Sequence, residues 1–482
     1  MKPWAMDEVR RAVKGKWLAR GSSGGVGAAG GGDGERFNGH VCTDSRKAAE
    51  GDLFVAIAGK NHDAHGYVKD VIERQVAAVL VHREPAADVL TLAQQNDVSV
   101  ILVEETVAAL NRLAAAYRSS IRAKVIAVGG SNGKTTTKQI IHALLREKFG
   151  EDGGHASPKS FNNNIGMPVT LLEVEPGHDY VVLEIGTNAP GEIAALGEVC
   201  RPDIAVITNV GLEHLEQLGD LEGVAHEEAS IAPFVAESGT LVLPADAPEL
   251  LGALRTAKVQ KILVGRKAGE GDLSVTDLAE SAGGLSFSVN GRGHYRLPLL
   301  GEHNGVNALL AIAVARRMGV SEEQVAAGLA KVKPAPMRLE LMEVGGWRVI
   351  NDAYNANPSS MEAALRTFSK LKVPGRKVVV LGNMLELGAS SEAMHRSVGG
   401  MAAAWKFDLL VAVGREMKVA ADVAAIAGCR TVHFADTAVA CAGIAELLEP
   451  GDTLLLKGSR GMALEALLEA LKKGPVALAG GM

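Results

Sequence analysis

Cysteine is scarce in this chain of 482 residues: Cys42, Cys200, Cys429 and Cys441 stand far apart, and no Cys-x-x-Cys pair occurs. That excludes a disulfide framework and a structural zinc site, and it fits free thiols in a reducing cytoplasm. Basic residues are not in excess either. The 50 Lys and Arg against 56 Asp and Glu leave a net charge of −6, which argues against a nucleic-acid partner or a membrane-surface binder. No apolar run is long enough for a membrane span, and residues 1–20 carry charges where a signal peptide needs an apolar core. A cytoplasmic protein is the expectation. Also missing is a Gly-x-Gly-x-x-Gly after the first strand of the C-terminal third, so the alternation there is not read as NAD binding.

What is present is a composition of 47% hydrophobic and 22% charged residues, that of a globular enzyme with sizeable cores. The length suggests about three domains, and the pattern suggests an α/β fold. Residues 1–123 alternate short helices with strands at 53–57, 77–81 and 98–103; the Gly, Ser and Ala run at 21–34 reads as a flexible surface loop. Residues 124–334 hold further strands at 180–185 and 204–208, each ending in polar residues. Residues 335–482 place strands at 378–381, 409–413, 431–434 and 453–456 between helical stretches such as 462–473, a Rossmann-like pattern.

The most informative stretch runs from Val125 to Thr137: an apolar strand, the turn Gly129-Gly130-Ser131-Asn132-Gly133, and Lys134-Thr135-Thr136 opening a helix. Without a Cβ at Gly130 and Gly133, backbone N–H groups come close to phosphate oxygens at the positive end of the new helix. Lys134 then reaches the β- and γ-phosphates, and Thr135 or Thr136 ligates Mg²⁺. The loop is a variant, because Val128 stands where the strict pattern has its first glycine. Ile140, Ile141, Leu144, Leu145 and Phe149 recur at the spacing of one buried helix face.

Two further residues belong with the loop. Glu184 ends an apolar strand, where a carboxylate is costly to bury unless a cation pairs with it, either Mg²⁺ or a nearby Lys or Arg. His214 follows the tip of the 204–208 strand, which is expected to neighbour the Glu184 strand. Such a site suits phosphoryl transfer. Kinase, ATPase and ATP-driven ligase all fit these residues.

The flanking motifs narrow that choice. Thr43-Asp44-Ser45-Arg46, Asp63-Ala64-His65, Asn162-Asn163, Thr208-Asn209-Val210, His303-Asn304 and Asn307 accompany the phosphate loop along nearly the whole chain, which resembles the Mur ligases. Asn351-Asp352-Ala353-Tyr354-Asn355-Ala356-Asn357, residues 381–388 and Lys457-Gly458-Ser459-Arg460 look like the branch that adds D-alanyl-D-alanine. The Asp-Asn-Pro-Arg motif of the branch that adds the third, diamino residue is absent.

The resemblance implies three domains: an N-terminal nucleotide-sugar-binding domain, a central P-loop ATPase-like domain with a mostly parallel sheet, and a C-terminal domain that closes on ATP and binds the incoming dipeptide. It implies ATP and two Mg²⁺ ions as cofactors, UDP-N-acetylmuramoyl-tripeptide and D-alanyl-D-alanine as partners, and a monomer. Phosphorylating the tripeptide carboxylate would give an acyl phosphate that the dipeptide amine attacks. By the same resemblance Lys134, Glu184 and His214 are catalytic. ATP falls to Gly130, Ser131, Asn132, Gly133, Lys134, Thr135, Thr136, Asn304, Asn307, Arg338 and Asp352. Ser45, Arg46, Asp63, His65, Asn162, Asn163, Asn355 and Asn357 meet substrate. Thr135, Glu184 and His214 hold metal. Ala64 departs from the family's usual glycine, which puts the backbone conformation there in question. A second departure is Glu228, where many family members carry a carbamylated lysine; Glu228, or Glu227 if the helix register differs, is expected to supply that metal-binding carboxylate directly. Another Mur ligase branch or a folylpolyglutamate-synthetase-like ligase is the alternative within the class, and a non-catalytic nucleotide-gated binding protein the alternative outside it.

Overall fold

The computed structural model describes residues 4–21, 36–37, 39–59 and 61–472. Most of the expected loop at 21–34 therefore lies outside the described residues. Three large sheets order the α/β fold among the described residues, beside a two-stranded antiparallel pair of Trp4–Ala5 with Arg36–Phe37. The central sheet has nine strands. Gly154–Ala156, Tyr180–Glu184, Lys124–Gly129, Ile204–Ile207, Thr240–Pro244, Gln260–Gly265 and Leu273–Ser281 run parallel in that spatial order, and Gly284–Val289 and Arg292–Leu297 extend it antiparallel.

The central strands are apolar on both faces because both faces are covered, as a parallel sheet requires. Side chains alternate between two cores: Val125, Ala127, Val181, Leu183 and Ala205 enter one, and Ile126, Val128, Val182 and Val206 the other. The first core continues into the N-terminal five-stranded sheet through Leu53, Val55, Leu80 and Ile101, so these two sheets share one apolar interior. The second is closed by the helix Lys134–Phe149, whose Ile140, Ile141, Leu144 and Leu145 are buried, and by His303–Arg317.

The strand order corrects one expectation. Ile204–Ile207 does not neighbour Tyr180–Glu184; the two flank Lys124–Gly129, one on each side. The phosphate-loop strand is thus central, and both polar strand tips emerge beside its loop, where open α/β sheets bind ligands.

The third sheet has the order Glu340–Val344, Trp347–Asn351, Thr453–Lys457, Lys377–Gly382, Leu409–Val413 and Thr431–Phe434, parallel except for the first strand. The helix expected over 462–473 is shorter. Ala463 takes a left-handed conformation (φ +48°), which ends the 3-10 turn Arg460–Met462, and the described helix spans Ala466–Leu471.

Candidate active site

The loop after Lys124–Gly129 is glycine-rich for a reason visible in its contacts. Gly130 and Gly133 have φ of +109° and +86°. A Cβ on Gly130 would stand 2.3 Å from the Thr208 hydroxyl, and one on Gly133 would stand 2.7 Å from Asn307 Oδ1. Val128, by contrast, is an ordinary buried strand residue, so the turn itself needs no glycine there. The neighbouring strand tip shapes the loop. Asn209 accepts from Asn132 N through Oδ1 (2.7 Å) and from Ser131 N through its carbonyl (3.0 Å), and Thr208 Oγ1 donates to Gly129 O (3.0 Å). The Lys134 ammonium folds back onto the carbonyls of Gly130 and Ser131. Thr136 lines the cleft described below.

Two buried glutamates meet this loop. Glu184 Oε2 accepts from Thr135 Oγ1 at 3.0 Å and from Lys138 Nζ at 2.9 Å, while Oε1 accepts from Asn162 Nδ2 at 3.2 Å. Of the two cations open to Glu184, the structure supplies an ammonium, Lys138, itself buried. Glu228 Oε2 accepts from Gly130 N at 2.8 Å, and its Oε1 has no protein partner. Burial pushes the Glu228 carboxyl up to about 8. The adjacent Glu227 is occupied elsewhere, accepting from Thr187 Oγ1, Gly191 N and Ile193 N around the start of the helix Glu192–Cys200. His214, in a left-handed conformation (φ +51°), sets Nδ1 2.6 Å from Glu386 Oε2. Among the described residues no three His, Cys, Asp or Glu side chains converge as a metal set. Thr135 and Glu184 are in contact, whereas His214 and Glu228 have other neighbours.

The opposite wall comes from the third sheet, and a cleft of about 600 Å³ lies between. Arg338, between left-handed Met337 and Leu339, stacks 4.3 Å from the Tyr354 ring centroid and donates to Thr135 Oγ1 at 3.0 Å. Asp352 accepts from Leu339 N and pairs with the buried Lys457 at 2.6 Å; Lys457 also donates to the carbonyl of Asn355. Asn357 caps the helix Pro358–Lys370 and exchanges amide hydrogen bonds with Asn132. Asn304 accepts from Asn307 Nδ2 at 2.8 Å and donates to Leu300 O. The loop and the third sheet are therefore joined by direct side-chain bonds across one cleft.

Family models match in the same order along the chain: "Mur ligase family, catalytic domain" over residues 39–118, "Mur ligase middle domain" over 128–315 and "Mur ligase, glutamate ligase domain" over 337–460. The UDP-N-acetylmuramoyl-tripeptide–D-alanyl-D-alanine ligase of Bacillus subtilis is 37% identical over 90% of this chain and 93% of its own. The chain belongs to the Mur ligase family. Among solved structures, MurF from Acinetobacter baumannii superposes with a TM-score of 0.84 at 30% identity, covering 98% of this chain and 99% of that one. MurF from Thermotoga maritima in complex with ADP gives 0.77 at 26% identity, covering 91% and 98%.

In this Mur ligase the nucleotide-sugar candidates do not all share the cleft. Asn162 and Asn163 line it; the Asn163 side chain also accepts from Ile165 N and Gly166 N at the start of the helix Gly166–Leu172. Ser45, Arg46, Asp63 and His65 sit in the N-terminal region, away from the cleft lining. Arg46 forms a two-point pair with Asp44, which holds that carboxyl down at about 2, and Arg74 donates to the Ser45 carbonyl. Asp63 accepts from His65 N and from Arg83 and lies 2.8 Å from His65 Nδ1. Ala64 opens a 3-10 turn without a positive φ, so no glycine is required there. Residue-by-residue reading missed Lys138, Lys457, Glu386 and Asn209 as site groups. Lys138 had one signal, its place four residues after Lys134 on the same helix face; the other three stand inside motifs already noticed, without an assigned role.

Proposed function

We propose that this Mur ligase joins D-alanyl-D-alanine to UDP-N-acetylmuramoyl-tripeptide at the expense of ATP, in peptidoglycan precursor synthesis, as a cytoplasmic monomer with functional units 1–123, 124–334 and 335–482. One observation carries the reading: relatives named for that reaction align over nine-tenths of the chain, and Mur ligase family models span both walls of the cleft, at 128–315 and 337–460. The tripeptide carboxylate attacks the γ-phosphorus of ATP, ADP leaves, and an acyl phosphate forms. The dipeptide amine then attacks the acyl carbon, loses a proton, and inorganic phosphate departs.

Each wall has its task in this reading. Lys134 swings from the loop carbonyls to the phosphates, and the N–H groups of residues 133–136 at the start of the helix face them, while the Gly130, Ser131 and Asn132 amides, bonded to Glu228 and Asn209, set the shape of the loop. Arg338 reaches the phosphates from the other wall, Asp352 takes the ribose, and Asn304 and Asn307 read the adenine edge. Ser45 and Arg46 cradle the uridine diphosphate once Arg46 leaves Asp44, and Asp63 and His65 support that end. Asn162 and Asn163 face the muramoyl peptide, and Asn355 and Asn357 the C-terminal side of the cleft. The Thr135 hydroxyl and Glu184 carboxylate are hard oxygen donors 3.0 Å apart and fit Mg²⁺. When bound there, the ion neutralises charge on the transferring phosphate. Because His214 and Glu228 meet Glu386 and the Gly130 amide, no step is assigned to a second ion.

The test is the purified chain with ATP, Mg²⁺, the UDP-linked tripeptide and D-alanyl-D-alanine, read by mass spectrometry. The expected product is the UDP-linked pentapeptide, with oxygen-18 from the tripeptide carboxylate appearing in inorganic phosphate. Product formed only with a free amino acid would favour another ligase branch, and no phosphate release with any acceptor would favour a binding protein.

A further inference from the structure

Among the side-chain bonds that cross the cleft, one involves a residue without a task in the ligation. Glu386 sets Oε2 2.6 Å from His214 Nδ1, joining the segment after the strand Lys377–Gly382 to a loop of the central sheet. Two features make this contact depend on the backbone that carries it. The Glu386 side chain is 59% exposed, so its own surroundings hold it weakly. Its φ of +64° is a left-handed conformation that a residue with a Cβ keeps only where the structure around it imposes one. By occupying Nδ1, Glu386 also decides which ring nitrogen of His214 is left for other groups. That nitrogen, Nε2, lies 4.0 Å from Glu213, and both residues line the cleft.

The restraint comes from behind the cleft wall. Asn383 O accepts from Ser459 N at 3.0 Å, and Leu385 N donates to Ser459 Oγ at 2.9 Å. Between them, Met384 N donates at 3.0 Å to Nε2 of His395, a fully buried side chain on the helix Ser391–Ala404. The partners of this imidazole fix its tautomer. A backbone N–H only donates, so Nε2 carries no proton; Nδ1 lies 2.7 Å from Ser391 O, which only accepts, so Nδ1 carries it. Ser391 Oγ stands 3.2 Å from the same nitrogen. Glu416 Oε2, at 3.8 Å from Nε2, is beyond hydrogen-bond reach and accepts from Ser391 Oγ at 3.0 Å. His395 thus ties its own helix to the backbone two residues before Glu386.

We infer that His395 is a positioning residue: its acceptor nitrogen fixes the segment 383–387 and thereby presents Glu386 to His214. His395 does not itself line the cleft, so it acts only through that segment. Its effect on turnover rests on the ligase reading above; its effect on the His214 ring rests on geometry alone.

Two polar substitutions separate the two ring nitrogens. In His395→Gln the side-chain oxygen stands as many bonds from Cβ as Nε2 does and keeps an acceptor for the Met384 N–H. In His395→Asn the amide reaches only as far as Nδ1 and keeps the Ser391 bond alone. With ATP, Mg²⁺, the UDP-linked tripeptide and D-alanyl-D-alanine, His395→Asn should lose about 30-fold in kcat, the scale of a slightly misplaced group. KM for ATP should stay within about twofold, and His395→Gln should keep kcat within about threefold of wild type. Adding His395→Asn to Glu386→Gln should cost nothing beyond Glu386→Gln alone, because both act at one contact. In protein labelled with nitrogen-15 at histidine, the His214 ring signals, identified by their loss in His214→Gln, should move in His395→Asn as they do in Glu386→Gln. The wild-type His395 ring, identified by its loss in His395→Gln, should show the proton on Nδ1. Losses that multiply in the double variant, His214 signals unmoved in His395→Asn, or the opposite tautomer in the wild-type chain would each overturn the assignment; the last needs no variant at position 395 to be active. A wild-type chain that forms no pentapeptide would bring down the ligase reading, and the His214 signals would still decide His395.

Discussion

Glu184 and Glu228 are equally buried, each 1% exposed, and both touch the phosphate loop, yet their surroundings differ. Glu184 has an ammonium, a hydroxyl and an amide on its two oxygens. Glu228 has one backbone N–H on one oxygen and nothing on the other. Burial removes water from both, but only the first recovers the lost interactions from protein groups. Lys138 shows the reciprocal cost, since burial draws its ammonium down while Glu184 opposes the shift. The site thus contains one carboxylate built into an ion pair and one held on the protonated side at neutral pH.

The largest expected effect comes from making the first resemble the second. Lys138→Met leaves Glu184 buried without its cation, and breaking a buried pair from one side costs about 3–5 kcal/mol. Urea unfolding should report that loss, and the double variant Lys138→Met with Glu184→Gln should recover most of it. A loss under about 1 kcal/mol would mean that other groups match the Glu184 charge.

The reverse experiment sharpens Glu228. Its carboxyl rises from 4.5 to about 8 on folding, so between those values the folded chain keeps a proton that the unfolded chain releases. Stability from this group is complete below about 4.5 and declines as pH rises through about 8, by up to about 1.4 kcal/mol per unit. Glu228→Gln should keep an oxygen on the Gly130 N–H and abolish that decline. Unfolding of nucleotide-free protein at pH 5 and pH 8.5 checks it, and parallel pH dependence in both proteins would refute the assignment.

The same contrast explains what was legible in the sequence. Strands buried on both faces announce themselves as apolar runs, and Leu409–Val413 has the bounds its residues suggest; the half-buried edge strand Thr431–Phe434 also falls where expected. Leu273–Ser281 and Arg292–Leu297 mix buried with exposed positions at the margin of the central sheet, and their polar residues hid them. Strand order is set by packing between distant segments, so the Glu184 and His214 strands fell on opposite sides of the phosphate-loop strand rather than together. Motifs located the candidate residues but not their partners. Glu386 meets His214 across 172 positions, a contact made by the seating of the third sheet on the central one.

The smallest effect is expected from the neutral donor on Glu184. Asn162 supplies one amide hydrogen bond at 3.2 Å to Oε1, while the ammonium and the hydroxyl both act on Oε2. Asn162→Ala should therefore cost only about 1 kcal/mol in unfolding, the usual net worth of one such bond, because the ion pair is intact. Its backbone carbonyl, which accepts from Gly186 N at 2.8 Å, is untouched by the change. A loss as large as that of Lys138→Met would show that the two oxygens of Glu184 are not independent, and that the amide, rather than the ammonium alone, holds the carboxylate in place.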